Sequence, residues 1–254
     1  MAPVLTVKLT LPDPTIYVIN KSKLVTDTQA AQMTSACAFQ VTNDLCPTWG
    51  MIAPAVRYVP VSATLPRGAR VITLADVMDE PDALGYHTID GRTGTVSGII
   101  GVKVCLDNGA RPLTGAFSVA SVLSHEVCEL AVDPFCATWC DTGSGYMVCA
   151  EVCDPVQSDT YPILVAGAPV TVSSFVTPSW FNAEAVKGQT LDWLGKLTRP
   201  FTMSKGGYYV RWRGGKVDQV FGAELPEWVK SRKRSLYSRS GQRLAGRPGK
   251  NIYV

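Results

Sequence analysis

His125, Glu126 and Glu129 stand out in the run FSVASVLSHEVCELAV (117–132), where every other residue is apolar or small and no Lys or Arg occurs. A surface helix normally shows a broad charged face, so a helix built from this run reads as buried nearly all round. Charges buried there need a metal, a counter-charge or a water-filled cleft. The i, i+4 spacing puts His125 and Glu129 on one helical face, one turn apart, and Glu126 projects roughly 100° around from His125. An imidazole nitrogen and a carboxylate so placed suit a divalent ion. Glu126 then holds the place of the glutamate in the H-E-x-x-H pattern, the general base for attack of water on a carbonyl. Here Glu129 replaces the second histidine. The chain has only two histidines, His87 and His125, which excludes a three-histidine site. A third donor must be an acid, His87 or a group from elsewhere. The acids on offer are Glu151 and Asp154 in AEVCDP, and then Asp133 at the helix end, where it could equally stabilise the turn.

Other chemistries are less well supported. Ser124 and Cys128 lie close to His125 in sequence, but neighbouring helix residues splay apart and no nucleophile–base–orienter set is visible. Cys136-x-x-x-Cys140 and Cys149-x-x-x-Cys153 have a spacing open to structural zinc, to disulfides or to plain thiols. An even total of eight cysteines indicates a disulfide framework mainly in short secreted chains, and most of these read as small buried apolar residues. His87, in LGYH on a glycine-flanked loop, reads as a hydrogen-bonded structural histidine, with contact to a metal or substrate as the alternative.

The elements that must position these groups follow from periodicity and punctuation. TIYVI (15–19), AVRYVPV (55–61) and RVITLAD (70–76) read as strands. Residues 27–45 suit a helix capped by Asp27 or Thr28 and followed by Pro47. A Pro/Gly-containing loop is expected through 80–94. TVSGIIGVKVCL (95–106) reads as a strand whose glycines suggest a bulge or an edge. The central helix is expected from about 115 to 132, ending at Asp133-Pro134. After a Cys/Gly-rich loop, 146–156 returns toward strand character, 163–176 reads as a hairpin turning at Gly167, 178–181 as a short helix or turn, and 206–217 as a last hairpin. This order predicts an α+β fold with a β- and loop-rich C-terminal half.

Composition sets the outer bounds. At 254 residues, with 46% apolar and 18% charged side chains, the chain is an ordinary globular protein. It shows neither a secretory leader nor an 18-residue apolar run, so cytoplasmic synthesis and no membrane span are expected. Charge is uneven. After Glu227 there is no acid, while Lys230, Arg232, Lys233, Arg234, Arg239, Arg243, Arg247 and Lys250 are basic. The division expected is a domain over 1–227 and a basic tail over 228–254. Such a tail suits an acidic neighbouring subunit or nucleic acid.

The chain resembles a family of zincin-like proteins of unassigned function from bacteria and their phages. The likeness runs from about residue 15 to 212. It rests on IYVIN (16–20), CPTWG (46–50), LGYH (84–87), SHEVCELAVDP (124–134), EVCDPV (151–156), VSSFVTPSWF (172–181) and GGYY (206–209), taken in order and spacing. The resemblance implies a metallopeptidase-like fold, a mixed sheet over the helix of the metal site. It implies His125 and Glu129 as ligands, Glu126 as base, and Glu151 and Asp154 as the acidic element supplying the third donor. It offers Tyr208 or Tyr209 as a hydroxyl near the cleft. A histidine with two carboxylates already balances a 2+ charge, and oxygen donors relax the preference for zinc, so zinc or another divalent metal is implied. Two functions follow. One is a metal-dependent hydrolase, foremost a peptidase. The other is a virion structural or accessory protein of a phage, whose metal site is vestigial and whose basic tail docks it to other subunits.

Overall fold

The computed structural model describes residues 14–79, 83–90, 92–185 and 187–222. The basic tail over 228–254 and the domain boundary drawn at 227 lie outside the described residues. The chain opens with β1 (Ile16–Asn20) and α1 (Asp27–Gln40). Thr26 caps α1 by accepting from the Gln29 amide, and the Gln29 side chain accepts from the Thr26 amide in return. This satisfies amide groups that a helix start otherwise leaves exposed. A π-helical turn over Val41–Leu45 carries α1 directly into α2 (Cys46–Trp49), so Pro47 sits in the first turn of a new helix rather than behind an old one. Gly50, with φ 62°, closes it.

The strands β2 (Val56–Val59), β3 (Arg70–Ala75), β4 (Gly85–Ile89) and β5 (Val96–Gly101) complete a five-stranded sheet in the order β2-β1-β3-β5-β4. All its pairs are parallel except β4 on β5. Two expectations change here. LGYH is not a loop: Gly85 and His87 belong to β4, at one end of the sheet. The glycines of 95–106 mark neither bulge nor edge, because β5 is an inner strand. A Cβ on Gly98 would stand 3.0 Å from the Tyr86 carbonyl oxygen and 3.4 Å from the His87 Cβ. The small residue is what lets β4 come close. The remainder of that run turns into α3 (Val102–Asp107).

Next comes α4 (Val119–Val132), capped by the Ser118 hydroxyl, which accepts from the Ser121 amide. Of its 14 residues 12 are buried, and it packs against β4, β5, β9 (Ala168–Ser173) and α1. Burial of large side chains such as Leu123 and Leu130, both fully enclosed, stabilises by about 1.5–3 kcal/mol each. The Ser124 hydroxyl donates to the Ser121 carbonyl and accepts from the Ser173 amide at 2.6 Å, which ties the helix to β9 and gives this serine a structural task.

The C-terminal half is β- and loop-rich. β6 (Trp139–Asp141), β7 (Met147–Cys149), β10 (Tyr208–Arg213) and β11 (Lys216–Phe221) form a four-stranded sheet in the order β11-β10-β7-β6. β8 (Thr160–Val165) pairs with β9 through a tight turn at Ala166-Gly167, both at positive φ, as a two-residue hairpin requires. The strand expected over 146–156 stops at Cys149, and Asp154–Val156 is a 3-10 turn instead. Pro178–Phe181 is a second such turn. The whole is α+β. Among the described residues no helix is long and apolar enough to cross a membrane.

Candidate metal centre

The sequence of α4 makes it a core helix, and the core helix carries the acids inward. Glu126 is 3% exposed and Glu129 fully buried, while the His125 side chain keeps 14% of its surface. The turn that follows β7 brings a second set of acids to the same place. Glu151 and Asp154 are 2% and 1% exposed. His125 Nε2 lies 3.4 Å from Glu129 Oε1 and 3.2 Å from Asp154 Oδ1. The carboxylates of Glu129, Glu151 and Asp154 offer oxygens within 4.8 Å of one another. The turn is anchored from two sides. The Cys153 amide donates to Glu129 Oε1 at 3.2 Å. Gly207, just before β10, packs so closely that a Cβ there would lie 2.1 Å from the Pro155 carbonyl oxygen.

β4 delivers His87, fully buried, to the other side of α4. Its Nδ1 is 3.0 Å from Glu126 Oε2. An ionised Glu126 requires that nitrogen to be the donor. His87, Glu126 and Glu129 form a further group with donor atoms within 4.8 Å of one another. His87 therefore adjoins the centre through Glu126, a place that its reading as a loop residue did not reveal. The usable signal was its glycine-flanked position opposite another glycine, which marks a close strand approach.

The spacing fits a cation. Donors about 2.1 Å from one tetrahedral ion lie about 3.4 Å apart, which is the separation of His125 Nε2 from Glu129 and, nearly, from Asp154. Four carboxylates, those of Glu126, Glu129, Glu151 and Asp154, crowd around two imidazoles. A 2+ ion would offset the charge that these carboxylates carry when ionised.

Asp133 has no place in these donor groups, and Tyr208 and Tyr209 have ring partners of their own. Asp133 is buried but committed to the helix end: its carboxylate accepts from the amides of Ala137 and Thr138, both at 3.1 Å, and from the Thr138 hydroxyl at 3.0 Å. Asp133→Ala should therefore destabilise the protein by about 1–3 kcal/mol, read as a shifted urea midpoint, because two part-buried amides and a hydroxyl lose their acceptor. It should leave metal affinity within about twofold. Tyr209 packs on Trp180 at 5.8 Å, and Tyr208 on Phe221 at 5.7 Å. Both belong to β10, which touches the Asp154–Val156 turn. The cysteine pairs do not converge either. All eight cysteines are thiols, and among the described residues the groups able to share an ion include Cys153 but not Cys136, Cys140 or Cys149.

Burial works against a charged His125, yet Glu129 first and Asp154 next hold its pKa well above the usual imidazole value. The sign follows. In the metal-free protein this residue contributes stability that is fully present below about pH 6.5 and is lost as pH rises through the raised value. A ligated imidazole must be neutral, so metal affinity should move the other way and rise with pH. Melting temperatures of parent and His125→Gln, measured from pH 5.5 to 9 with chelator, should converge toward high pH. A gap that does not narrow with pH would contradict this.

No protein-family model, no curated protein and no solved structure matches the chain.

Proposed function

We propose that the chain is a zincin-like, metallopeptidase-type hydrolase in which His125 and Glu129 hold a divalent cation, zinc foremost, together with a donor of the 151–154 turn. Asp154 and Glu151 are the acidic candidates for that donor. The observation that carries the reading is the meeting of His125, Glu129 and Asp154 at 3.2–3.4 Å, with Glu126 held beside them by His87. When bound, the ion polarises a substrate carbonyl and stabilises the charge that develops on its oxygen. Glu126 takes the proton from the attacking water and passes it to the leaving amine. His87 keeps the Glu126 carboxylate turned toward that task by its hydrogen bond. β4, antiparallel at the end of the sheet, packs against α4 and brings His87 to Glu126.

A second reading has its own observation. The acids of the centre are 0–3% exposed and His125 only modestly more, which suits an enclosed, stabilising ion. Under that reading the chain is a non-catalytic part or accessory of a phage particle on the same scaffold, docked by its basic tail. Metal analysis of the purified protein, followed by assay of the metal-loaded form against a mixed peptide library, tests both. A stoichiometric ion with peptide cleavage supports the hydrolase, and an ion without cleavage supports the stabilising centre. Absence of binding at micromolar zinc would sink the metal reading altogether.

A further inference from the structure

Among the described residues, seven of the eight cysteines stand outside every group of donors close enough to share an ion, and Cys153 does not. It is fully buried and reduced. The ordinary reading of a buried cysteine is a small apolar side chain. That reading is sound for Cys37 and Cys105, which lie in the hydrophobic core without a place in any such group. Cys153 belongs to the same core but has charged company as well. Its sulfur and the donor atoms of His125 and Glu129 all lie within 4.8 Å of one another. Its own amide is fixed on Glu129 Oε1, and the next residue, Asp154, reaches His125. The sulfur is therefore held against the centre by main chain, not by a loose side chain. Cys128, one turn ahead of Val132 on α4, shares a hydrogen bond with the Cys153 thiol.

We propose that Cys153 is a metal ligand, completing a His125–Glu129–Cys153 set that selects a thiophilic divalent ion of the zinc class over hard ions such as magnesium or calcium. This rests on the metal reading above and names the donor that the 151–154 turn supplies. With three ligands from the protein, a fourth position on a tetrahedral ion stays open, as a catalytic site requires. Asp154 remains the carboxylate beside His125. Coordination breaks the Cys153 S–H bond, forms a sulfur–metal bond and releases the proton to solvent. A bound cation favours the thiolate over the thiol. The Cys128 S–H then donates to the thiolate and steadies it. Thiolate ligands favour zinc-class metals, whereas carboxylates alone would also accept magnesium or manganese.

Cobalt(II) is the probe, because a cobalt–thiolate bond produces a near-ultraviolet charge-transfer band that oxygen and nitrogen donors do not. The full chain titrated with cobalt(II) should develop that band at one equivalent. Cys153→Ser should lose it and bind zinc at least tenfold more weakly, since even partners that only orient ligands cost roughly 10–100-fold when removed. Cys140→Ser, at a half-buried thiol outside those donor groups, should retain the band. X-ray absorption of the zinc-loaded parent should show one sulfur scatterer, a readout that stands even if Cys153→Ser does not fold. Cobalt binding with no sulfur band, or a band that survives in Cys153→Ser, overturns the proposal and leaves the metal centre intact. No cobalt or zinc binding in the parent overturns both.

Discussion

Glu129→Gln is expected to abolish the thermal stabilisation that zinc confers, read as the difference between the melting temperatures with zinc and with chelator for each protein. A ligand that binds only the folded state at 100 times its dissociation constant stabilises by about 2.7 kcal/mol. For a chain of this size that is roughly 5–10 °C in melting temperature. Glu129 is central to the effect because it belongs to all three groups of donors that could hold an ion. Glutamine keeps the volume and an oxygen to accept from the Cys153 amide, so packing is conserved. It also removes the carboxylate that faces His125, so each protein's melting temperature with chelator serves as its own baseline. Melting curves of parent and variant, with chelator and with zinc, decide the matter. A variant that still gains several degrees from zinc would show that the ion sits elsewhere.

The same helix shows how far the chain could be read before its fold was known. An apolar run interrupted only by His125, Glu126 and Glu129 announces a core helix with an inward charged stripe, and α4 has that form, starting four residues later than expected because Ser118 caps it. Hairpins were legible from Gly167 and from Gly214-Gly215, since two-residue turns demand positive φ there. The parts that resisted depend on pairing across the chain. Glycines 98 and 101 read as interruptions in a strand, but their cause is the approach of β4 and of Met78, which local pattern does not contain. His87 was hidden for the same reason: its strand exists because β5 is there to pair with it. The contribution of Cys153 depends on a 3-10 turn at Asp154–Val156, where β-like composition suggested extended chain. Spacing along one helix is local information. The meeting of α4, β4 and the 151–154 turn is not.

Glu126→Gln is expected to lower kcat for peptide hydrolysis by about 10²–10⁴-fold with zinc affinity nearly unchanged. The reasoning separates two roles that the pattern H-E-x-x-E places side by side. Glu129 faces His125 and the 151–154 turn, and its loss empties the centre. Glu126 faces His87, whose Nδ1 lies 3.0 Å from one carboxylate oxygen. A glutamine preserves shape and can keep a hydrogen bond to His87, but at neutral pH its amide takes up no proton. The loss should therefore fall on kcat, with KM little changed, because a base acts in the transition state and not in binding. Steady-state kinetics on the best peptide from the library, alongside zinc titrations of parent and variant, make the test. Equal turnover in both proteins would remove Glu126 from the chemistry. Loss of zinc binding in the variant would instead make it a ligand.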